Sequence, residues 1–202
     1  MPPQTSSDKK ILILFAHPAL QKSRIHAELL KNIPSSITLH DLYEEYPNMD
    51  IDVAKEQKLL TDHDTIVFQF PLYWYSTPAI IKEWLDLVLT HSWAYGSNAH
   101  ALENKIWINA LSSSGSREVY QPDGEKGHTI RELLCPLELT AKLCKMKYLP
   151  PFVIHGSHVL SDLEVNEKSI QYSKFLSSLE NESFDLNLLS DTNALYSNEK
   201  EA

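Results

Sequence analysis

Pro71-Leu72-Tyr73-Trp74-Tyr75-Ser76-Thr77-Pro78 sets three consecutive aromatic side chains in a short segment closed at both ends by proline, which limits its freedom. Such a loop offers apolar surface to the face and edge of a flat heteroaromatic ring such as an isoalloxazine, with backbone amides for its heteroatoms. A hydrophobic plug over the end of a sheet accounts for the same composition. Ser112-Ser113-Ser114-Gly115-Ser116 supplies hydroxyls and one flexible backbone position. Amides in a turn of this kind can stabilise negative charge growing on a ring edge, although serine and glycine are also ordinary turn residues. His17-Pro18-Ala19-Leu20-Gln21-Lys22-Ser23-Arg24 contains no glycine, so neither a GxGxxG fingerprint nor a P-loop is present there. Ser23 and the amides opening a following helix, with His17 alongside, could hold an anion; Ser23 as a plain N-cap is the competing reading. Tyr120 and His128 flank Asp123-Gly124-Glu125-Lys126-Gly127, a loop flexible enough to carry either side chain over a bound ring.

Other chemistries are disfavoured. His155-Gly156-Ser157-His158 follows a strand pattern and has no matching carboxylate pair, so no metal is expected there. Cys135 and Cys144 lack CxxC or zinc-finger spacing and fall in an apolar helical pattern, where buried core thiols are expected. The absence of a GxSxG elbow argues against a Ser-His-Asp hydrolase.

The elements that must position these segments follow from the apolar pattern. The chain has 202 residues, 43% of them hydrophobic, and a net charge of −9 that argues against a nucleic-acid partner. Continuous apolar runs at 11–16, 65–70, 106–111 and 151–154 read as strands buried on both faces, and alternating 37–42 reads as a strand nearer an edge. Helical patterns lie between them at about 23–32, 53–60, 78–90, 128–145 and 164–179, with Pro78 well placed at a helix start. Alternating strands and helices predict an α/β, flavodoxin-like doubly wound five-stranded parallel sheet with helices on both faces. Ligands of such folds sit outside the carboxyl ends of the strands, where the segments above fall. One domain over 9–180 is expected, with a flexible tail at 1–8 and a loosely ordered one at 181–202. The two unpaired cysteines and the short first apolar run lead to the expectation of a cytoplasmic protein.

The run from Asp52-Val-Ala-Lys-Glu-Gln-Lys to Phe68-Gln-Phe-Pro-Leu-Tyr-Trp-Tyr closely resembles the flavodoxin-fold NAD(P)H:quinone reductases. That family takes in DT-diaphorase and the ancillary proteins KefF and KefG of glutathione-gated potassium efflux. ILFAHP at 13–18, PAIIKEWLDLVL at 78–89, HSWAYG at 91–96 and YLPPFVIHG at 148–156 extend the resemblance over about 10–180. The resemblance implies bound flavin, FMN or FAD. His17, Ser23, Arg24 and Ile25 match phosphate-side contacts; Pro71, Leu72, Tyr73, Trp74 and Tyr75 match the loop lining the ring. Ser112, Ser113, Ser114 and Gly115 stand where relatives carry a TTGG-type turn. Ser114 replaces the first glycine of that turn, and its Cβ would clash if the position required positive φ. Tyr120 matches a tyrosine near the flavin, with His128 the nearest candidate for its partner histidine, and Trp93 and Tyr95 match residues bordering a substrate pocket completed by a second subunit.

The implied reaction is ping-pong: hydride passes from NAD(P)H to flavin N5, then two electrons pass to a quinone-like acceptor, within a homodimer. On that reading Tyr120 and the 112–115 amides stabilise charge, and His128 delivers protons. A regulatory subunit at the inner membrane face, associated with a potassium-efflux transporter, is the alternative, and a one-electron flavodoxin-like carrier is a third reading.

Overall fold

The computed structural model describes residues 9–181, so the expected tail at 1–8 and all but the first residue of the one expected at 181–202 lie outside the described residues. Strands β1 (Ile11–Phe15), β2 (Thr38–Asp41), β3 (Thr65–Pro71) and β4 (Ile106–Ser112) pair in parallel in the order β2-β1-β3-β4. On the far side of β4 the expected fifth strand is interrupted. Lys147–Tyr148 (β5) pairs with the start of β4 and Phe152–Ile154 (β6) with its end, with Pro150 and Pro151 between them unable to donate to the ladder. The order is that of the flavodoxin-like sheet, and the sixth strand leaves the class unchanged.

Side-chain alternation along β1 separates two apolar layers. Leu12 and Leu14 face Leu60, Ile80, Ile81 and Trp84 on one side of the sheet, where Phe68 stacks on Trp107 at 4.4 Å between ring centroids. Ile11, Ile13 and Phe15 face Ile25, Leu29, Val165, Tyr172 and Leu176 on the other. Helices α1 (Arg24–Lys31) and α7 (Asp162–Glu180) cover the second face, tied together by buried Ser169, which accepts from Asn32 Nδ2 at 2.9 Å and donates to the Glu28 carbonyl at 2.8 Å.

Local chemistry starts these helices where the chain must turn. Ser23 caps α1 by accepting from the His26 amide, and Asp41 caps a four-residue helix, α2 (Leu42–Glu45), that the sequence pattern does not reveal. Asp52 caps α3 (Val53–Asp62), Pro78 immediately precedes α4 (Ala79–Val88), and Ser161 with Glu164 forms a capping box on α7. The single helix expected over 128–145 is instead α5 (Ile130–Leu133) and α6 (Cys135–Leu143). Leu134 leaves helical geometry (φ −90°, ψ 8°) and Pro136 occupies the first turn of α6, where its missing amide costs nothing. Cys144 is buried, its thiol pushed up to about 11 by burial, but Cys135 is exposed, which corrects the expectation of two core thiols. Among the described residues, no helix is long and apolar enough to cross a membrane.

Candidate active site

Four loops leave the carboxyl end of the sheet side by side, and backbone hydrogen bonds stitch them together. Leu72 N donates to Ser112 O at 2.8 Å, Ser113 N to Ile154 O at 2.9 Å, Gly156 N to Gly115 O at 3.0 Å and Ser157 N to Ser113 O at 3.0 Å. Two cavities open among these loops. The larger, about 560 Å³, is lined by His17, Lys22, Ser23, Arg24, Ile25, Pro71, Leu72, Tyr73, Ser112 and Ser114 together with Ser157 and His158. The smaller, about 360 Å³, lies between Trp74 and Tyr75 on one side and Gly115, Val119, Tyr120, Glu125 and Lys126 on the other. Leu72 and Ser114 line both, so the two abut.

The larger cavity has the character of an anion site. It sits over the N-terminus of α1, where the Arg24 and Ile25 amides precede the first helical acceptor. His17 is buried, and burial holds its imidazole below the ordinary range. Its Nδ1 accepts from the Ala19 amide at 3.1 Å, so neutral His17 carries its proton on Nε2. Arg24 borders the cavity but spends its Nη2 on the Leu160 carbonyl and Asp162, at 3.1 and 2.5 Å.

The smaller cavity is walled by a tight turn. Tyr73 and Ser76 exchange backbone hydrogen bonds at 3.0 and 2.9 Å, and the two residues between them, Trp74 and Tyr75, take φ of +48° and +63°. Two positive φ values in a two-residue turn describe the type I′ class, which favours asparagine and glycine. Two aromatic residues are strained there, and Trp74 is 93% exposed, so burial does not compensate the strain. Opposite, a Cβ on Gly115 would stand 2.9 Å from Tyr120 Cε2, so only glycine lets the turn press against that ring. Ser114 is not among the residues at positive φ, so its Cβ meets no backbone penalty and the anticipated clash does not arise. Among the described residues the Ser114 and Gly115 amides meet no protein acceptor, which leaves two donors at the lip shared by the cavities. Burial, and then the nearby Tyr75, hold the Tyr120 phenol above its ordinary range.

Domain membership follows from these features together with a match of the flavodoxin-like fold family over residues 9–176. The chain belongs to that family. This flavodoxin-like chain is 40% identical over 174 residues to the glutathione-regulated potassium-efflux system ancillary protein KefG of Cronobacter sakazakii, a match spanning 85% of this chain and 94% of that one. It is similar to the crystal structure of general stress protein 14 from Treponema denticola in complex with FMN, with 41% identity, a TM-score of 0.80, and coverage of 84% of this chain and 99% of that one. An NADPH-quinone reductase from P. pentosaceus superposes with a TM-score of 0.75 at 34% identity, covering 82% and 96% of the two chains.

Most of the residues singled out in the sequence line the cavities of this flavodoxin-like site; Ser113 is buried in the serine turn behind them, and three others lie elsewhere. His128 lies on the surface, its side chain 65% exposed and 3.9 Å from Glu132, and it lines neither cavity. The imidazole beside Tyr120 is that of His155, with ring centroids 6.0 Å apart, and its Nδ1 is 3.1 Å from Ser113 Oγ. Trp93 packs against the core on the α3–α4 side. Tyr95 lines a separate apolar groove of about 600 Å³ between α4 and α6, which starts at Ser76 and Thr77, directly behind the aromatic turn. Sequence reasoning missed Lys22, Ser157 and His158 at the larger cavity and Lys126 at the smaller. The position of 155–158 just beyond the last strand was the available signal. Among the described residues no cluster of three or more His, Cys, Asp or Glu could hold a metal.

Proposed function

We propose that this chain is an FMN-dependent NAD(P)H oxidoreductase that delivers two electrons, as a hydride, to quinone-like acceptors. The observation that carries the reading is the pair of abutting cavities: a donor-rich chamber at a helix N-terminus beside a slot walled by Trp74, Tyr75 and Tyr120. One compartment suits a phosphorylated tail and the other a flat ring, and FMN joins the two in one molecule. The FMN held by the Treponema relative and the quinone-reductase name of the P. pentosaceus relative support the same reading.

Ser23, Ile25 and His17 would hold the phosphate end, and Pro71 through Tyr75 the ring. FMN, when bound, supplies the capacity to accept hydride and pass it on. The chain's own part is to bind, orient and compensate charge. The Ser114 and Gly115 amides present donors where negative charge grows on reduction, as preorganised dipoles that need no reorganisation. Tyr120, with its raised phenol pKa, remains a proton-bearing donor at neutral pH. Reductant and acceptor would use the same face of the ring in turn, which makes the expected kinetics ping-pong.

The groove holding Tyr95 begins at the aromatic turn and carries exposed Leu143, with exposed Leu139 on the same helix, which favours a homodimer whose second copy seats there and completes the acceptor pocket. Likeness to KefG favours one further reading, peripheral association with a potassium-efflux transporter at the cytoplasmic side of the membrane.

The test is the visible spectrum of the purified chain reconstituted with FMN, followed anaerobically as NADPH and then menadione are added. Bleaching by NADPH and recovery with menadione are expected. Failure to bind FMN, or bound FMN that NADPH does not bleach, refutes the oxidoreductase reading, and co-purification with a transporter would then favour the regulatory one.

A further inference from the structure

Beneath the larger cavity, four elements contribute side chains to one line of hydrogen bonds. Tyr172 of α7 places its hydroxyl 3.0 Å from Gln69 Oε1; Gln69 of β3 places Nε2 3.4 Å from His26 Nδ1; His26 of α1 places Nε2 3.0 Å from Ser112 Oγ. Tyr172, Gln69 and His26 are wholly buried, whereas Ser112 lines the cavity. The sequence offers no hint of this line, because a histidine on a helix face and a glutamine in an apolar strand read as isolated core polar residues.

Its direction follows from counting protons. A buried phenol O–H needs an acceptor, and among the described residues its hydrogen-bond partner is Gln69 Oε1. The Gln69 oxygen therefore faces Tyr172 and its NH₂ faces His26. His26 Nδ1 accepts, so the ring proton sits on Nε2. Ser112 Oγ then accepts from His26, and its own hydrogen has to point elsewhere. Burial, reinforced by the proximity of His17, keeps His26 neutral by pulling its pKa down to about 3, so one tautomer persists across the physiological range.

We propose that His26 is a positioning residue: fixed in its Nε2–H form by Tyr172 and Gln69, it donates to Ser112 and so turns the Ser112 hydroxyl hydrogen into the cavity as a donor to a ligand oxygen. The ligand, FMN, rests on the function proposed above, whereas the tautomer does not. The opposite polarity would flip Gln69, take the acceptor away from the buried Tyr172 hydrogen and withdraw the Ser112 donor from the cavity.

Long-range ¹H–¹⁵N spectra of the full ligand-free chain, labelled at histidine, read the tautomer directly, with His26 assigned by its loss in His26→Gln. A proton on Nε2 with bare Nδ1, unchanged from pH 8 to pH 5.5, is expected; an Nδ1–H ring, or one that protonates above pH 5.5, overturns the proposal. The consequence for the cavity is read by quenching of FMN fluorescence. His26→Leu removes the donor to Ser112 and is expected to weaken FMN binding about 10-fold, whereas His26→Gln, which keeps an N–H, restores most of it. In a Ser112→Ala background the leucine change should add nothing. Equal binding by His26→Leu and His26→Gln overturns the positioning role. A wild-type chain that binds no FMN refutes the proposed function, and the ligand-free spectra still decide the tautomer.

Discussion

Trp74 couples backbone strain to an exposed ring, and its replacement should raise stability while lowering ligand affinity. The indole is 93% exposed, so removing it forfeits almost no burial, while its φ of +48° lies in the left-handed region. That region costs a side chain with a Cβ roughly 1–2 kcal/mol, and asparagine tolerates it better because its short polar side chain bonds locally. Trp74→Asn should therefore stabilise the ligand-free chain by about 1 kcal/mol, equivalent to roughly 2–4 °C in Tm for a domain of this size. Trp74→Ala removes the same ring but keeps the backbone penalty, so its Tm should stay within about a degree of wild type. Both variants lose an aromatic wall of the smaller cavity, and an aromatic contact of about 0.5–1.5 kcal/mol converts to a roughly 2- to 10-fold weaker FMN Kd. Thermal melts of the ligand-free protein and FMN fluorescence titrations measure the two effects separately. A Tm gain in the alanine variant equal to that in the asparagine variant would refute the strain argument. An unchanged FMN Kd in both would remove Trp74 from the ring site.

Three further outcomes follow from buried groups. Glu56 is fully buried and accepts from His40 Nε2 at 2.8 Å, Tyr46 Oη at 2.5 Å and Trp84 Nε1 at 2.8 Å, joining β2, α3 and α4; Glu56→Ala strands all three donors and should cost about 3–5 kcal/mol, lowering Tm by roughly 6–20 °C in a melt, while a loss below 1 kcal/mol would contradict this account. Burial lowers the His26 pKa to about 3 from 6.5, so the unfolded chain binds the extra proton between those values; its contribution is intact above about pH 6.5 and declines as pH falls, by about 2 kcal/mol from pH 7 to 5, a slope that urea titrations should find reduced in His26→Gln. Tyr120→Phe should leave FMN bound but slow its reduction by NADPH in stopped-flow absorbance, and unchanged kinetics would take the phenol out of the reaction.

The sheet was legible because β1, β3 and β4 are buried on both faces, which writes them into the sequence as unbroken apolar runs. The α5–α6 break was not, since the 3.6-residue apolar pattern continues through Leu133, Leu134 and Leu137 although Pro136 interrupts the backbone. Loops 17–24 and 71–78 announced themselves by unusual residue types beside a strand. Loop 155–158 joined the site only through register, because the Gly156–Gly115 and Ser157–Ser113 hydrogen bonds bring it beside the serine turn. For the same reason His155, rather than His128, stands next to Tyr120: flexibility near a site says less about position than a hydrogen bond across the sheet end does.

Buried polarity in this fold takes two forms, and the contrast locates function. Glu56 with its three donors, and Asn109 between Trp107 Nε1 at 3.1 Å and the Tyr148 hydroxyl at 2.7 Å, are closed groups whose partners are all protein; they fix how elements pack. The line from Tyr172 through Gln69 and His26 ends instead on a hydroxyl facing a cavity, and beside it the amides of exposed Ser114 and half-buried Gly115 also have no protein acceptor among the described residues. Burying the Ser112 hydroxyl with its hydrogen unpaired is costly, as is holding Trp74 and Tyr75 at positive φ. These two costs meet at the strand-end loops, where a bound ligand can return them by supplying the missing acceptors and an aromatic face. Positive φ also occurs at Met49, Ser92, Asn104 and Lys145, which line neither cavity, so what marks the site is a strained aromatic turn standing opposite unfilled donors, the pairing that binding a polar-tailed flat ring would use.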